Sequence, residues 1–268
     1  MSRCWAALIT VLTLGTVASS ADATVLVSNS ASGLSASASF TISGAAGARQ
    51  LTILLTNTDA ATGANAPIAP SEVLSGLFFN LGTATFTPVS AELEANASII
   101  QTGNCDVGCV GEKNVGGEFS YAPGGVGWLA GDSQGISSSG YLNANTSQGN
   151  FNGSNFDNPD ALDGINFGIV PDGWVGSGNG GLNGVALIEG TVKFVLNIPD
   201  GLQESDISNV YFTYGTSPNE NTLGTTTDTP TTSGTPTTGG VPEPAVLSLL
   251  GLALGGVAAA YRVKRRHP

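Results

Sequence analysis

The sequence predicts an all-β chain: an antiparallel β-sandwich or jelly-roll-like body, with an N-terminal signal helix and one C-terminal transmembrane helix. Three observations carry this. Apolar and polar residues alternate at period two in several runs, and clusters of Gly, Pro, Asn and Ser separate those runs. The 268 residues include 38 Gly and 13 Pro, while only 10% are charged. Turn formers this dense, with so few charges, argue against a helical bundle.

The strands follow in order. Residues 24–28 form the first candidate. Phe40 and Ile42 alternate with Thr41 and Ser43, and Leu51, Ile53 and Leu55 alternate with Thr52 and Thr56. Residues 74–80, 84–89 and 98–101 come next, then 165–170. Val192, Phe194, Leu196 and Ile198 against Thr191, Lys193 and Asn197 make the clearest strand, and Val210, Phe212 and Tyr214 repeat the pattern. About ten strands in residues 24–214 make one domain of ordinary size. Residues 102–164 are less regular and read either as long loops over one end of the sandwich or as edge hairpins.

The two ends set the compartment. Residues 1–23 have the parts of a secretory signal: Arg3, an apolar stretch from Trp5 to Val17, then Ala21-Asp22-Ala23 for a signal peptidase. Residues 245–261 are uncharged and long enough to cross a bilayer as a helix. Arg262, Lys264, Arg265 and Arg266 follow and hold that end on the cytoplasmic side. The body is then expected outside, held to the membrane by the C-terminal helix. Residues 215–240 contain eleven threonines and three prolines, with Leu223 their only large aliphatic residue. That composition predicts an extended stalk, either bare or O-glycosylated. Val241-Pro242-Glu243-Pro244 then forms a rigid, extended segment, because proline fixes φ and lacks a donor.

Pro-Glu-Pro, an apolar helix and a terminal Arg/Lys cluster, in that order within residues 241–268, resemble the PEP-CTERM sorting signal of Gram-negative bacteria. The resemblance implies processing near Pro242–Pro244 by an exosortase, a membrane-embedded cysteine transpeptidase. It also implies a setting of exopolysaccharide and biofilm formation. Two body segments, 158–168 (NPDALDGINFG) and 207–216 (ISNVYFTYGT), are similar to stretches in one branch of these surface proteins. They imply a surface β-domain and supply no activity.

Composition excludes several classes of chemistry. The one histidine is His267, the penultimate residue, so neither a Ser-His-Asp triad nor a His-ligated metal can be built in the body. Between residues 24 and 240 only Arg49, Lys113 and Lys193 oppose 18 acidic residues. A body this acidic repels phosphate backbones, so nucleic acid is not an expected partner.

Candidate sites are few. Cys105 and Cys109 are the cysteines left after signal cleavage. In an exported protein they read as a disulfide closing a short loop, with free thiols or metal ligation as alternatives. Asp157, Asp160 and Asp163 are a weak candidate calcium set: their spacing departs from the EF-hand, and ordinary turn chemistry is the preferred reading. Glu92 with Glu94, and Glu112 with Glu118, are carboxylate pairs of the kind glycoside hydrolysis needs, and any acidic chain offers such pairs. Trp128, Trp174 and Tyr121 sit in Gly-rich stretches and read either as sugar-stacking surface or as core. The resulting expectation is a non-enzymatic, exported surface or matrix protein with a structural or adhesive role, no cofactor, and extracellular polysaccharide as a possible partner. The alternative is a secreted carbohydrate-binding module or glycan-active enzyme.

Overall fold

The computed structural model describes residues 24–31, 33–59, 68–101, 111–124, 129–139, 153–157, 165–174, 181–217, 220–224 and 231–232. All of these fall in the first of the chain's two units, Met1–Ser233. The expected signal helix (1–23), the transmembrane helix (245–261) and the sorting motif lie outside the described residues. Among the described residues, no helix is long and apolar enough to cross a membrane.

The described residues are mostly β-strand, in two largely antiparallel sheets. The strands are β1 (Thr24–Ala31), β2 (Leu34–Ser43), β3 (Arg49–Asn57), β4 (Leu74–Asn80), β5 (Thr87–Leu93), β6 (Ser98–Ile100), β7 (Ser120–Pro123) and β8 (Gln134–Ser137). They continue with β9 (Ser154–Asn155), β10 (Ile169–Val170), β11 (Leu187–Glu189), β12 (Thr191–Ile198), β13 (Ser208–Tyr214), β14 (Asn221–Gly224) and β15 (Thr231–Thr232). Sheet A runs β15-β1-β2-β3-β12-β5. Sheet B runs β6-β11-β10-β4-β8-β7-β9, with β13 also paired to β4 and β14 to β13; among the described strands only β10 and β11 pair in parallel.

Sheet A is one-sided, and the period-two alternation says why. Ala36, Ala38, Phe40 and Ile42 of β2, Leu51, Ile53 and Leu55 of β3, and Val192, Phe194 and Leu196 of β12 are all buried. Their neighbours Ser39, Thr41, Thr52, Leu54 and Lys193 are half-buried on the opposite face. The buried row meets sheet B through aromatic pairs. Phe40 approaches Phe79 edge-on at 5.2 Å between ring centroids, and Phe194 meets Phe119 at 5.0 Å and Phe156 at 5.4 Å. Each ring buried there stabilises the fold by roughly 1.5–3 kcal/mol through apolar transfer.

Sheet B is covered on both faces. Ile169 and Ile188 face the core shared with sheet A. Their neighbours Val170 and Leu187 face a second cluster with Val73, Trp174 and Leu182. Phe78 packs under Leu129 in a third. Such strands read as continuous apolar runs rather than alternations, as β4 (LSGLFFN) does. The β2–β3 turn shows one enforced glycine. Gly44 has φ +97°, and a Cβ there would lie 2.3 Å from the Ala48 carbonyl oxygen.

The structure moves several boundaries. The strand expected at 84–89 lies at Thr87–Leu93, because Phe86 N–H and the Gly82 and Ala84 carbonyls bond to side chains of β7 and β8 instead of a ladder. The strand expected at 165–170 shortens to Ile169–Val170, with Phe167 at φ +58° in the left-handed region. Part of the irregular 102–164 stretch supplies β7, β8 and β9 of sheet B. Asn221–Gly224, inside the expected stalk, pairs with β13 instead, and its Leu223 is buried opposite Phe212. One apolar residue in a polar stretch is enough to add a strand where a sheet edge awaits it.

Candidate functional site

A grouping of opposite charges lies where β5 meets β12. The antiparallel register sets Glu92 directly across from Lys193. Lys193 Nζ lies 3.0 Å from Glu92 Oε2 and 4.0 Å from Glu94 Oε1, so one ammonium serves two carboxylates. The hydrogen bond to Glu92 holds the Lys193 ammonium above its ordinary range; partial burial opposes this, and the charges of Glu92 and Glu94 add to it. Lys113 turns away, donating to the Glu94 and Ala97 carbonyls at 3.1 and 3.3 Å. Both carboxylates of this pair stand side by side on an open sheet face with an ammonium between them. That arrangement neutralises charge. Glycoside hydrolysis needs instead two carboxylates flanking a bound sugar. Glu112 of the second candidate pair accepts from Asn114 N–H at 3.3 Å, and Glu118 closes the short 3-10 turn Gly116–Glu118.

Asp157 is the one member of the calcium set that is described. Its Oδ2 accepts from Asn114 Nδ2 at 2.5 Å, while Asn114 Oδ1 accepts from Gly116 N–H at 2.9 Å. This is a loop staple between two stretches of the middle region. Asp160 and Asp163 lie outside the described residues, as do Cys105, Cys109, Trp128, Val241, Pro242, Glu243, Pro244, Arg262, Lys264, Arg265 and Arg266. Among the described residues, no three His, Cys, Asp or Glu side chains gather closely enough to hold a metal.

Two aromatics resolve to core. Trp174 is fully buried in the second cluster, and Tyr121 is 2% exposed with its ring stacked on Phe86 at 6.0 Å. Neither offers a face to a sugar. Gly-rich flanks make both read as loop residues, yet Tyr121 belongs to strand β7 and Trp174 clusters with Val170 and Leu187 of sheet B.

A polar grouping that sequence reasoning missed joins the sheets at one end. Asn57 ends β3 in the inward register of Leu51, Ile53 and Leu55, and is 1% exposed. Its Nδ2 donates across to the Ile169 carbonyl of β10 at 3.0 Å and to the Glu72 carbonyl at 3.2 Å, while its Oδ1 accepts from Asp59 N–H at 3.1 Å. Beside it, burial raises the Asp59 carboxyl to about 6, opposed by a Ser35 N–H and reinforced by the charge of Glu72. Burial, and then the Asp59 charge, push the Tyr214 phenol far above its usual range. Asp59 Oδ1 and Tyr214 Oη are both buried without a hydrogen-bond partner among the described residues. The signal was present in the pattern: an Asn at an inward strand position demands partners.

Compared with protein-family models, curated proteins and solved structures, the chain matches none.

Proposed function

We propose that this chain is an exported surface or extracellular-matrix protein, delivered by a signal peptide and processed by an exosortase, with a structural or adhesive role in an exopolysaccharide setting. The observation that carries the reading is the order Pro242-Glu243-Pro244, apolar residues 245–261, then Arg262, Lys264, Arg265 and Arg266. A rigid extended motif suits a protease cleft, the apolar stretch holds it at the membrane face, and the basic cluster fixes orientation. In this reading the body is a β-sandwich with jelly-roll affinities, non-enzymatic and without a cofactor. The acidic net charge disfavours nucleic acid, and the high Ser, Thr and Gly content suits a body that meets hydrated polymers. The burial of Tyr121 and Trp174 favours this role over a lectin built on stacked aromatic rings.

Intact-mass measurement of the protein from its native host, with and without the exosortase, tests the reading. The expected result is loss of the segment beyond about Pro244 only when the enzyme is present. A mass retaining Arg265 and Arg266 in both strains would overturn it.

A further inference from the structure

The outer face of sheet A is rich in hydroxyl and amide groups, with one lysine, Lys193, held in ion pairs at its β5 side. Its central rungs are Ser39–Leu54–Lys193 and Thr41–Thr52–Val195, set by the registers of β2, β3 and β12. Hydrogen-bonded pairs bound them on either side: Thr56 Oγ1 with Thr191 Oγ1 at 2.9 Å, and Gln50 Nε2 donating to Asn197 Oδ1 at 3.1 Å. Neighbouring strands place side chains about 4.8 Å apart across the sheet and roughly 6.7 Å apart along each strand. The result is a regular grid of groups that both donate and accept.

Charge is segregated away from this face. The chain carries a net charge of −12, yet of the described acidic residues only Glu92 and, just past the end of β5, Glu94 reach this face, where Lys193 meets them at 3.0 and 4.0 Å. Asp59, Glu72, Asp200, Glu204 and Asp206 all lie in turns or at strand ends. A solvated outer face needs no such neutrality, since charged residues there cost nothing to hydrate.

We propose that the outer face of sheet A docks a strand of uncharged polysaccharide. Leu54 and Val195 lie under the C–H faces of the sugars, and the surrounding Ser and Thr hydroxyls exchange hydrogen bonds with sugar hydroxyls. The proposal rests on the matrix reading above and names the surface and the glycan class it uses. An anionic polymer is repelled by the body's net charge. A second copy of the chain would oppose hydroxyl to hydroxyl with only Leu54 and Val195 apolar at the centre, short of the apolar core of a stable protein interface. Binding at a single face is weak, and many copies on one surface raise it by avidity.

The test is affinity gel electrophoresis of the full-length protein in non-ionic detergent, with dextran or hydroxyethylcellulose as neutral probes and alginate as the anionic one. The wild type is expected to be retarded by a neutral probe and not by alginate. Thr52→Glu with Val195→Glu is expected to weaken retardation by at least about tenfold. Ser39→Ala with Thr52→Val removes hydroxyls while keeping strand propensity, and is expected to weaken it in part with an unchanged thermal midpoint. Absence of retardation by both neutral probes overturns the proposal, as does equal retardation of wild type and variants. Concentration-dependent self-association abolished by the glutamate variant assigns the face to a second copy and also overturns it. The sorting reading is decided separately by the host mass measurement, so failure of one leaves the other standing.

Discussion

The Tyr121 phenol donates to Gln134 Oε1 at 2.5 Å and accepts the Phe86 N–H at 2.9 Å. Gln134 Nε2 then donates to the Gly82 and Ala84 carbonyls at 3.0 and 3.1 Å. Two buried side chains, bonded to each other, thus satisfy three backbone groups of the turn that feeds β5. Tyr121→Phe strands the Phe86 N–H and one Gln134 oxygen in the interior. Each orphaned group costs about 1–3 kcal/mol, so the urea midpoint of Tyr121→Phe is expected to fall well below wild type. A midpoint within error of wild type would show that water replaces the phenol.

That staple also explains what the sequence could and could not announce. The strands of sheet A were legible because one face meets solvent, so Phe194 and Lys193 alternate without interruption. The strands β7 (SYAP) and β8 (QGIS) were hidden because sheet B is covered on both faces, leaving no polar side to mark the period. Their buried Ser120, Gln134 and Ser137 read as loop residues until their partners are known. The Asp59–Tyr214 neighbourhood was invisible for another reason: it needs the end of β3 in one sheet and the end of β13 in the other. No local pattern encodes that meeting. Asn57 alone signalled it, as a polar residue at an inward position.

Asp59 gives a pH prediction with a definite sign. Its folded carboxyl titrates near 6, against about 3.9 in an unfolded chain. The folded state therefore binds the proton more tightly, so this contribution to stability is complete below about pH 4 and lost as pH rises through about 6. The carboxyl is partly open to solvent, which reduces the effect to the order of 1 kcal/mol. Asp59→Asn is expected to be more stable than wild type at pH 7 to 8 by about that amount, with the difference vanishing near pH 4. Thermal midpoints of both proteins across that window check it, and parallel curves would sink it.

The Lys193 ion pairs make a weaker claim. They lie on the sheet surface, with the Lys193 side chain 32% and that of Glu92 45% exposed. Lys193→Met is expected to lower stability by less than about 1 kcal/mol. The deficit arises mainly from leaving two carboxylates unopposed, so it should shrink between 0.01 and about 1 M salt as screening shortens. A deficit unchanged by salt would sink the electrostatic account.

Phe194 tests whether the middle of the chain belongs to the core. Its ring touches Phe119 and Phe156, both from the stretch without clear periodicity. Phe194→Ala is expected to cost about 3–5 kcal/mol, as for a large ring removed from a close-packed interior. Hydrogen exchange should speed up around Phe119 and Phe156 as well as along β12. Loss confined to β12 would mean that the middle region packs independently.

Where the body ends is the last question, and Leu223 decides it. Composition alone starts the stalk at residue 215, but β14 pairs Phe212 with Leu223 and Tyr214 with Asn221, burying the one large aliphatic residue of a Thr-rich stretch. Beyond it, Thr231 and Thr232 pair with Leu26 and Val25 at the free edge of β1, covering strand groups that would otherwise stay open. A chain ending at Gly215 loses the Leu223 contact and both edge pairings, and is expected to be less stable by at least ~2 kcal/mol than one ending at Ser233. Urea unfolding of the two chains checks this. Equal midpoints would return residues 216–233 to the stalk; a lower midpoint for the shorter chain means the extended, Thr/Pro-rich spacer begins only after the second edge pairing.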